Sequence, residues 1–409
     1  MFADRGDRRE TPQTARRIRV DNRALLMSSS STTPSFDSKA YAQASARGNI
    51  LVIGPFPPPV HGFAQATTDI ANLLSSRGFN VTQIDLKPVH HKVGILAAIR
   101  LRISQIATLF SEASRGSQIY IALSGGGRQL VDLGVLLIAR LIGAKLYIHH
   151  HSFAYLDQPT WLSRMCFRVA GIAGIHLVLC DKMKRLMQKQ YRSALNVEVI
   201  SNAGLLSVDL EFKPRTRLQN VGYLGALTRE KGILLFLEIA EDLLKNNPGL
   251  TFSIAGPCND NAIRDRVERA CQAHLEIDYL GPVYGDAKKA FVESLDALLF
   301  PTTYHNEAEP LVIWESISNG APVIGWERGC IGEMLAPDSD IPLSAIPKDS
   351  SFAQEATDKI QTWIVSPDSF RQASHEMRRQ FERVSAQSFA AFDRVFSADT
   401  AATTYRTGL

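Results

Sequence analysis

Short, continuous apolar runs alternate with amphipathic stretches along this chain, and the whole alternation occurs twice. The first series reads as strands at Asn49–Ile53, Asn80–Leu86, Gln118–Leu123, Lys145–His149, His176–Cys180 and Val197–Ile200. Helical stretches fall between them, at Phe63–Arg77, Leu130–Leu141 and Met183–Tyr191. Such an order makes a parallel sheet covered on both faces. The pattern restarts with strands at Gln219–Leu224, Thr251–Ala255, Ala297–Phe300 and Ala321–Ile324, and helices near Lys231–Asn246, Ala262–His274 and Lys288–Leu295. Apolar periodicity lapses over Asn202–Arg217, which reads as a hinge. At 409 residues the chain also exceeds what one hydrophobic core usually serves. The expected organisation is a polar, disordered tail over 1–47, one α/β domain over 48–205, a second over 206–380, and a helix over 381–409 crossing back towards the first domain. That helix belongs to one long pattern, Ser369–Phe396.

Charge divides the halves. Residues 51–200 hold 16 Lys and Arg against 7 Asp and Glu, while residues 201–409 hold 20 against 29. A basic half attracts anionic lipid, nucleic acid or a phosphorylated substrate. No motif that reads DNA or RNA accompanies it, so nucleic acid is not expected as a partner. Two segments mix cations with apolar groups, Val89–Arg102 and Trp161–Val169, and suit an anionic bilayer surface as well as ordinary packing. The five cysteines form no close pair or Cys/His cluster, which argues against a zinc site and a disulfide framework. The first residues lack the apolar stretch of a signal peptide, and no run is long enough to span a bilayer. A cytoplasmic protein is expected, with the cytoplasmic face of a membrane as a further possible location.

Three segments carry the chemistry. Glu307 follows the strand at Ala297–Phe300, and Glu315 lies in the short helix beyond it. Carboxylates at the C-terminal edge of a parallel strand suit a polyhydroxy ligand, whose hydroxyls they accept strongly. Gly225-Ala-Leu-Thr-Arg-Glu-Lys-Gly232 joins a strand to a helix, and its backbone amides with Arg229 and Lys231 suit a diphosphate. Tyr147-Ile-His-His-His-Ser-Phe153 ends a buried-looking strand. In extended backbone His149 and His151 share a face and His150 takes the other. Asp132 and Asp157 are both available to orient a ring. Gly62, before a helix, can let backbone come close to a ligand. No loop matches a dinucleotide fingerprint or a P-loop, which weighs against a dehydrogenase or NTPase.

Over residues 49–400 the chain resembles the family 4 retaining nucleotide-sugar glycosyltransferases. The likeness rests on Glu307-x7-Glu315, Gly320-Ala-Pro-Val323, Gly225-x5-Lys231-Gly232 and the His149-His-His151 triplet. It implies the GT-B fold: α/β, with two Rossmann-like domains facing a cleft. It further implies a donor site of Gly225, Arg229, Lys231, Gly256, Glu307, Leu311, Val312 and Glu315. Catalysis falls to His151, Glu307 and Lys231, with Gly62, His149 and His150 on the acceptor side or its loops. No cofactor or metal is implied, since the nucleoside diphosphate sugar is a substrate. The acceptor would be a saccharide or a lipid-diphosphate-linked saccharide of cell-surface polysaccharide synthesis. Two departures stand out. Ala226 occupies the place of an arginine usual in the family, with Arg229 as its expected substitute. Glu309 replaces a small or aromatic residue, where it can alter sugar specificity. A nucleotide-sugar epimerase and a non-catalytic sugar- or nucleotide-binding scaffold remain the alternatives.

Overall fold

The computed structural model describes residues 47–86, 117–206, 212, 214–336 and 344–397. The segment Val89–Arg102, and nearly all of the tail, lie outside the described residues.

The first domain is a six-stranded sheet: β1 (Asn49–Gly54), β2 (Asn80–Asp85), β3 (Gln118–Leu123), β4 (Lys145–His150), β5 (Ile175–Val178) and β6 (Asn196–Val199). All pairings are parallel, in the order β2-β1-β3-β4-β5-β6. Its helices are α1 (Gly62–Ser76), α2 (Gln129–Leu141), the short α3 (Ala154–Asp157), α4 (Trp161–Ala170) and α5 (Asp181–Gln190). The continuous apolar runs arise because helices cover both sides of the strands, leaving little polar face to present.

The second sheet comprises β7 (Asn220–Leu224), β8 (Thr251–Ala255), β9 (Ile277–Tyr279), β10 (Ala297–Phe300), β11 (Val323–Trp326) and β12 (Ala345–Ile346). Its order is β12-β11-β10-β7-β8-β9, again parallel throughout. Around it lie α6 (Ile233–Leu244), α7 (Asn261–Ala273), α8 (Gly285–Ser294), α9 (Leu311–Ser318), α10 (Ile331–Met334) and α11 (Phe352–Val365). The edge strands β9 and β12 are too short to have shown in the sequence pattern.

Helix α12 (Pro367–Ser397) runs from the second sheet to the first. Met377 and Phe381 share a core cluster with Trp314 and Ile317, while Phe392 and Phe396 pack with Ile50, Phe79 and Tyr147. Arg77 pairs with Asp393 at 2.7 Å, fixing the far end against α1.

A second tie corrects the cysteine expectation. Cys180 and Cys330 form a disulfide between the domains, 150 residues apart in sequence. Spacing along the chain could not show it, because the fold alone brings α5 beside α10. The ion pair Arg185–Glu333, at 2.8 Å, lies between the same two helices.

Each sheet reverses its winding once. The neighbours on either side of that reversal are β1 and β3 in the first domain, and β7 and β10 in the second. Loops at the C-terminal ends of such strands diverge and leave a crevice. In the second domain those loops carry Lys231 and Glu307.

Candidate active site at the facing sheet edges

The loop after β7 is shaped by two glycines. Gly232 has φ +81°, and a Cβ there would lie 2.2 Å from the carbonyl oxygen of Pro301. Gly256, at φ +144°, would collide with the Gly225 carbonyl. Only glycine lets these three loops approach so closely. Gly256 therefore sets the shape of the Gly225 loop through backbone contact. The β7 and β10 loops are also laced together by Thr303 N, which donates to Glu230 O at 2.7 Å.

That lacing brings Lys231 Nζ into an ion pair with Glu307 Oε2. Thr302 Oγ1 lies 3.3 Å from the same carboxylate oxygen, and the Lys231 ammonium sits 4.8 Å from the Tyr304 ring centre. At the start of α9, Leu311 and Val312 occupy the first turn, whose amides have no partner within the helix. Further along α9, Glu315 Oε1 pairs with Lys288 Nζ at 2.6 Å, while Oε2 is shielded from water without a protein partner. Asp69 of α1 faces this pair from the first domain. Burial holds its carboxyl above the usual range, Glu315 adds to the shift, and Gln65 and Lys288 oppose it. Asp69 gave no signal in sequence because Glu315 and Lys288 come from the other domain, and its Gln65 partner is only a neighbour on α1.

The histidine triplet divides as strand alternation requires. The His149 and His151 rings lie 4.1 Å apart, and Phe63 of α1 packs 5.1 Å from His151. Burial lowers the His151 pKa to about 3, so its ring is neutral, and Nε2 has no protein partner. His149 is fully buried, its Nδ1 2.7 Å from the Tyr120 hydroxyl. His150 corrects its acceptor-side placement. It is fully buried on the opposite side, stacked on Phe167 and His176, with Nδ1 2.8 Å from the Tyr155 hydroxyl. Phenols thus hold these two rings, where carboxylates were expected. Asp132 instead accepts from Ser124 N at 2.8 Å.

A short contact joins the His151 loop to the Glu307 loop. Ser152, next to His151, bonds through Oγ to Asn306 Oδ1 at 3.0 Å, and Asn306 adjoins Glu307. Neither residue stood out in the sequence. On the first-domain side, Gly62 opens α1 and a Cβ there would meet no protein atom. The fold does not require glycine at that position, and the space beside it is open.

Two further expectations change. Arg229 is exposed and lines a groove with Glu238, Asp242 and Arg266, between α6 and α7, rather than joining Lys231. Arg229 and Lys231 lie on the turn that leads into α6. Glu309 faces the hinge, not the sugar side. Its carboxylate accepts from Ser201 Oγ at 2.7 Å and Asn202 N at 2.6 Å, and its carbonyl accepts from Asn202 Nδ2 at 2.9 Å. Burial raises its pKa to about 7, against the lowering effect of those hydrogen bonds.

Comparison with known proteins agrees with this architecture. Residues 212–383 match the family model described as Glycosyl transferases group 1. A sulfoquinovosyl transferase of Arabidopsis thaliana is 24% identical over 296 residues, covering 66% of this chain. The chain spans about half of that relative, 52% of its length. Among solved structures, Anabaena HepE in complex with UDP and glucose aligns with a TM-score of 0.61 at 16% identity, covering 85% of this chain and 99% of that one. The sucrose-phosphate synthase of Thermosynechococcus elongatus aligns at 0.62 and 15% identity, covering 86% and 100%. The pneumococcal O-GlcNAc transferase GtfA, in complex with UDP and GlcNAc, aligns at 0.56 and 18%, covering 75% and 60%. The chain has the GT-B fold, and its second domain matches the group 1 glycosyl transferases.

Proposed function

We propose that this protein is a retaining glycosyltransferase of the family 4 type, moving a sugar from a nucleoside diphosphate sugar to a saccharide or lipid-linked saccharide. The observation that carries the reading is the Ser152–Asn306 contact, which brings the His151 loop against the Glu307–Lys231 pair. A donor lying there meets cation, carboxylate and neutral imidazole in one crevice. The complexes of HepE with UDP and glucose, and of GtfA with UDP and GlcNAc, support a UDP-linked donor.

In this reading Lys231 and the first-turn amides of Leu311 and Val312 hold the diphosphate, where negative charge grows as the bond breaks. Glu315 accepts ribose hydroxyls through its unpartnered oxygen, and Glu307 accepts hydroxyls of the transferred sugar. His151 Nε2 faces the same sugar. The bond from the anomeric carbon to phosphate oxygen breaks, and the acceptor oxygen bonds to that carbon on the same face. The acceptor proton passes to the departing diphosphate. This route uses no carboxylate nucleophile, unlike retaining hydrolases, and we propose it without a metal. With Arg229 turned outward, Lys231 carries the side-chain part of the phosphate contact.

The test supplies labelled UDP-sugars with and without a membrane-derived acceptor fraction and follows UDP, product and anomeric configuration. Acceptor-dependent UDP release with retained configuration supports the reading. Free epimerised sugar without acceptor would identify an epimerase, and donor binding without any turnover a scaffold.

A further inference from the structure

We infer that the outer face formed by α2, α4 and the end of α5 docks on an anionic lipid bilayer. Six of the eleven large apolar side chains exposed among the described residues belong to this one region: Leu130, Leu137, Leu141, Trp161, Ile172 and Leu195. Leu130, Leu137 and Leu141 are 63%, 46% and 82% exposed and fall on one side of α2 by helical spacing. Trp161, at the start of α4, is 67% exposed, and Ile172, just beyond its end, is 65% exposed. The two helices pack side by side. Tyr191, at the end of α5, stacks on Phe167 of α4 with ring centres 3.7 Å apart, so α4 lies in the middle of the face.

The charge of this face selects the occupant. Arg164 and Arg168 follow Trp161 at helical spacing and are exposed, as is Arg140, whose guanidinium lies beside Gly171 at the end of α4. Lys189 and Arg192 add two exposed cations at the end of α5. The acid within α2, Asp132, is buried, and the exposed Asp157 and Asp181 stand at the end of α3 and the start of α5. Leucine and tryptophan among arginines match a bilayer interface, where apolar groups enter the acyl boundary and cations remain with anionic headgroups. No helix among the described residues is long and apolar enough to cross a membrane.

The placement has a consequence for the proposed transfer. In a parallel α/β layer the helices start at the C-terminal edge of the sheet, so Leu130 and Trp161 mark the end of the face nearest the crevice. A bilayer on this face would bring a lipid-linked acceptor to the rim beside His151. That clause rests on the function proposed above, whereas the docking itself does not.

The experiment is flotation of the full chain with phosphatidylcholine vesicles, with and without phosphatidylglycerol, over a range of salt. Binding should require the anionic lipid and weaken as salt screens the field. Each arginine near the surface contributes about fivefold, so Arg164→Gln/Arg168→Gln should bind roughly thirtyfold more weakly. Trp161→Ser/Leu137→Ser should also bind less, although its charge is unchanged. Both variants alter exposed positions, so melting temperature and UDP binding should match wild type. Because the tail is present in every sample, the difference between variants reads this face alone. Equal binding of wild type and both variants would overturn the proposal, as would binding indifferent to lipid charge. Self-association of the wild type that the variants abolish would overturn it in favour of a second copy. If UDP-sugar turnover fails while charge-dependent flotation holds, the docking stands and the transferase reading falls.

Discussion

Glu309→Gln should remove a loss of stability that the wild type suffers as pH rises from weakly acidic to alkaline. Glu309 is 6% exposed, and burial raises its carboxyl pKa from 4.5 to about 7. The folded state therefore binds this proton more tightly than the unfolded state. The resulting stability is full below the unfolded value of 4.5, declines as pH climbs towards about 7, and then levels off. A shift of that size corresponds to about 3 kcal/mol, of which about 2.5 kcal/mol is lost between roughly pH 5 and 8.5. Glutamine keeps a carbonyl for Ser201 or Asn202 but has no charge to desolvate. It loses a charge-assisted bond of about 1.5–3 kcal/mol, so its absolute stability at alkaline pH should differ little from wild type. The informative quantity is the difference between the two proteins as a function of pH, because groups far from this site titrate in both and cancel. Urea midpoints across this range, at equal slope, measure it. Parallel curves would refute the reasoning, since they would mean that the carboxyl ionises alike in both states.

Lys231→Ala should weaken UDP by about 1.5–3 kcal/mol and leave uridine nearly unchanged, which calorimetry on both ligands would read. Equal losses for the two would indicate loop collapse. His151→Ala should lower kcat with little change in melting temperature, because contacts made mainly in the transition state behave that way. His150→Ala should instead cost about 3 kcal/mol of stability, as its ring fills a stack with Phe167 and His176; the reverse pattern in melts and turnover would exchange their roles. With its pKa near 3, His151 should add no inflection to kcat between about pH 5 and 8, and a sigmoid near pH 6.5 would contradict the neutral ring. Reduction of the Cys180–Cys330 bridge should destabilise the chain by up to about 5 kcal/mol through released loop entropy, and an unchanged urea midpoint in reductant would refute that.

The strands were legible for a specific reason. Parallel strands covered on both faces, such as Ile50–Ile53 and Ile119–Leu123, must be apolar at successive positions, so each appears as an unbroken run. Strands β9 and β12 bury too few residues to leave such a mark. Within the site, Lys231 and Glu307 could each be placed on a strand's C-terminal loop, because strand-to-loop edges show in sequence. That the two loops are neighbours depends on sheet order, which a local pattern does not encode. Contacts across domains were illegible altogether. Ser152 and Asn306 lie 154 positions apart, and Ser201 and Glu309 lie 108 apart. Glu309 was read as a departure from the family pattern that alters sugar specificity, yet its carboxylate turns to Ser201 and Asn202 at the hinge. Arg229 lies exposed on the turn that enters α6, a placement that local sequence did not show.

The Lys231–Glu307 pair gives the proposed site a selectivity of its own. In the absence of ligand each charge neutralises the other, and side-chain exposures of 23% and 12% leave little water to replace a lost partner. A diphosphate that draws Lys231 away would leave Glu307 partly buried and unpaired, a costly state. A sugar attached to that diphosphate relieves the cost, because its hydroxyls donate to the freed carboxylate. Bare nucleotide and nucleotide sugar thus differ by more than the added contacts. The sugar also restores a partner that the phosphate removes. Ala226 sharpens the effect, since no arginine there shares the phosphate charge with Lys231. Under the proposed transfer the same exchange would run backwards once the sugar has left, with Glu307 competing with the diphosphate for Lys231. The pair would then favour release of the nucleotide product.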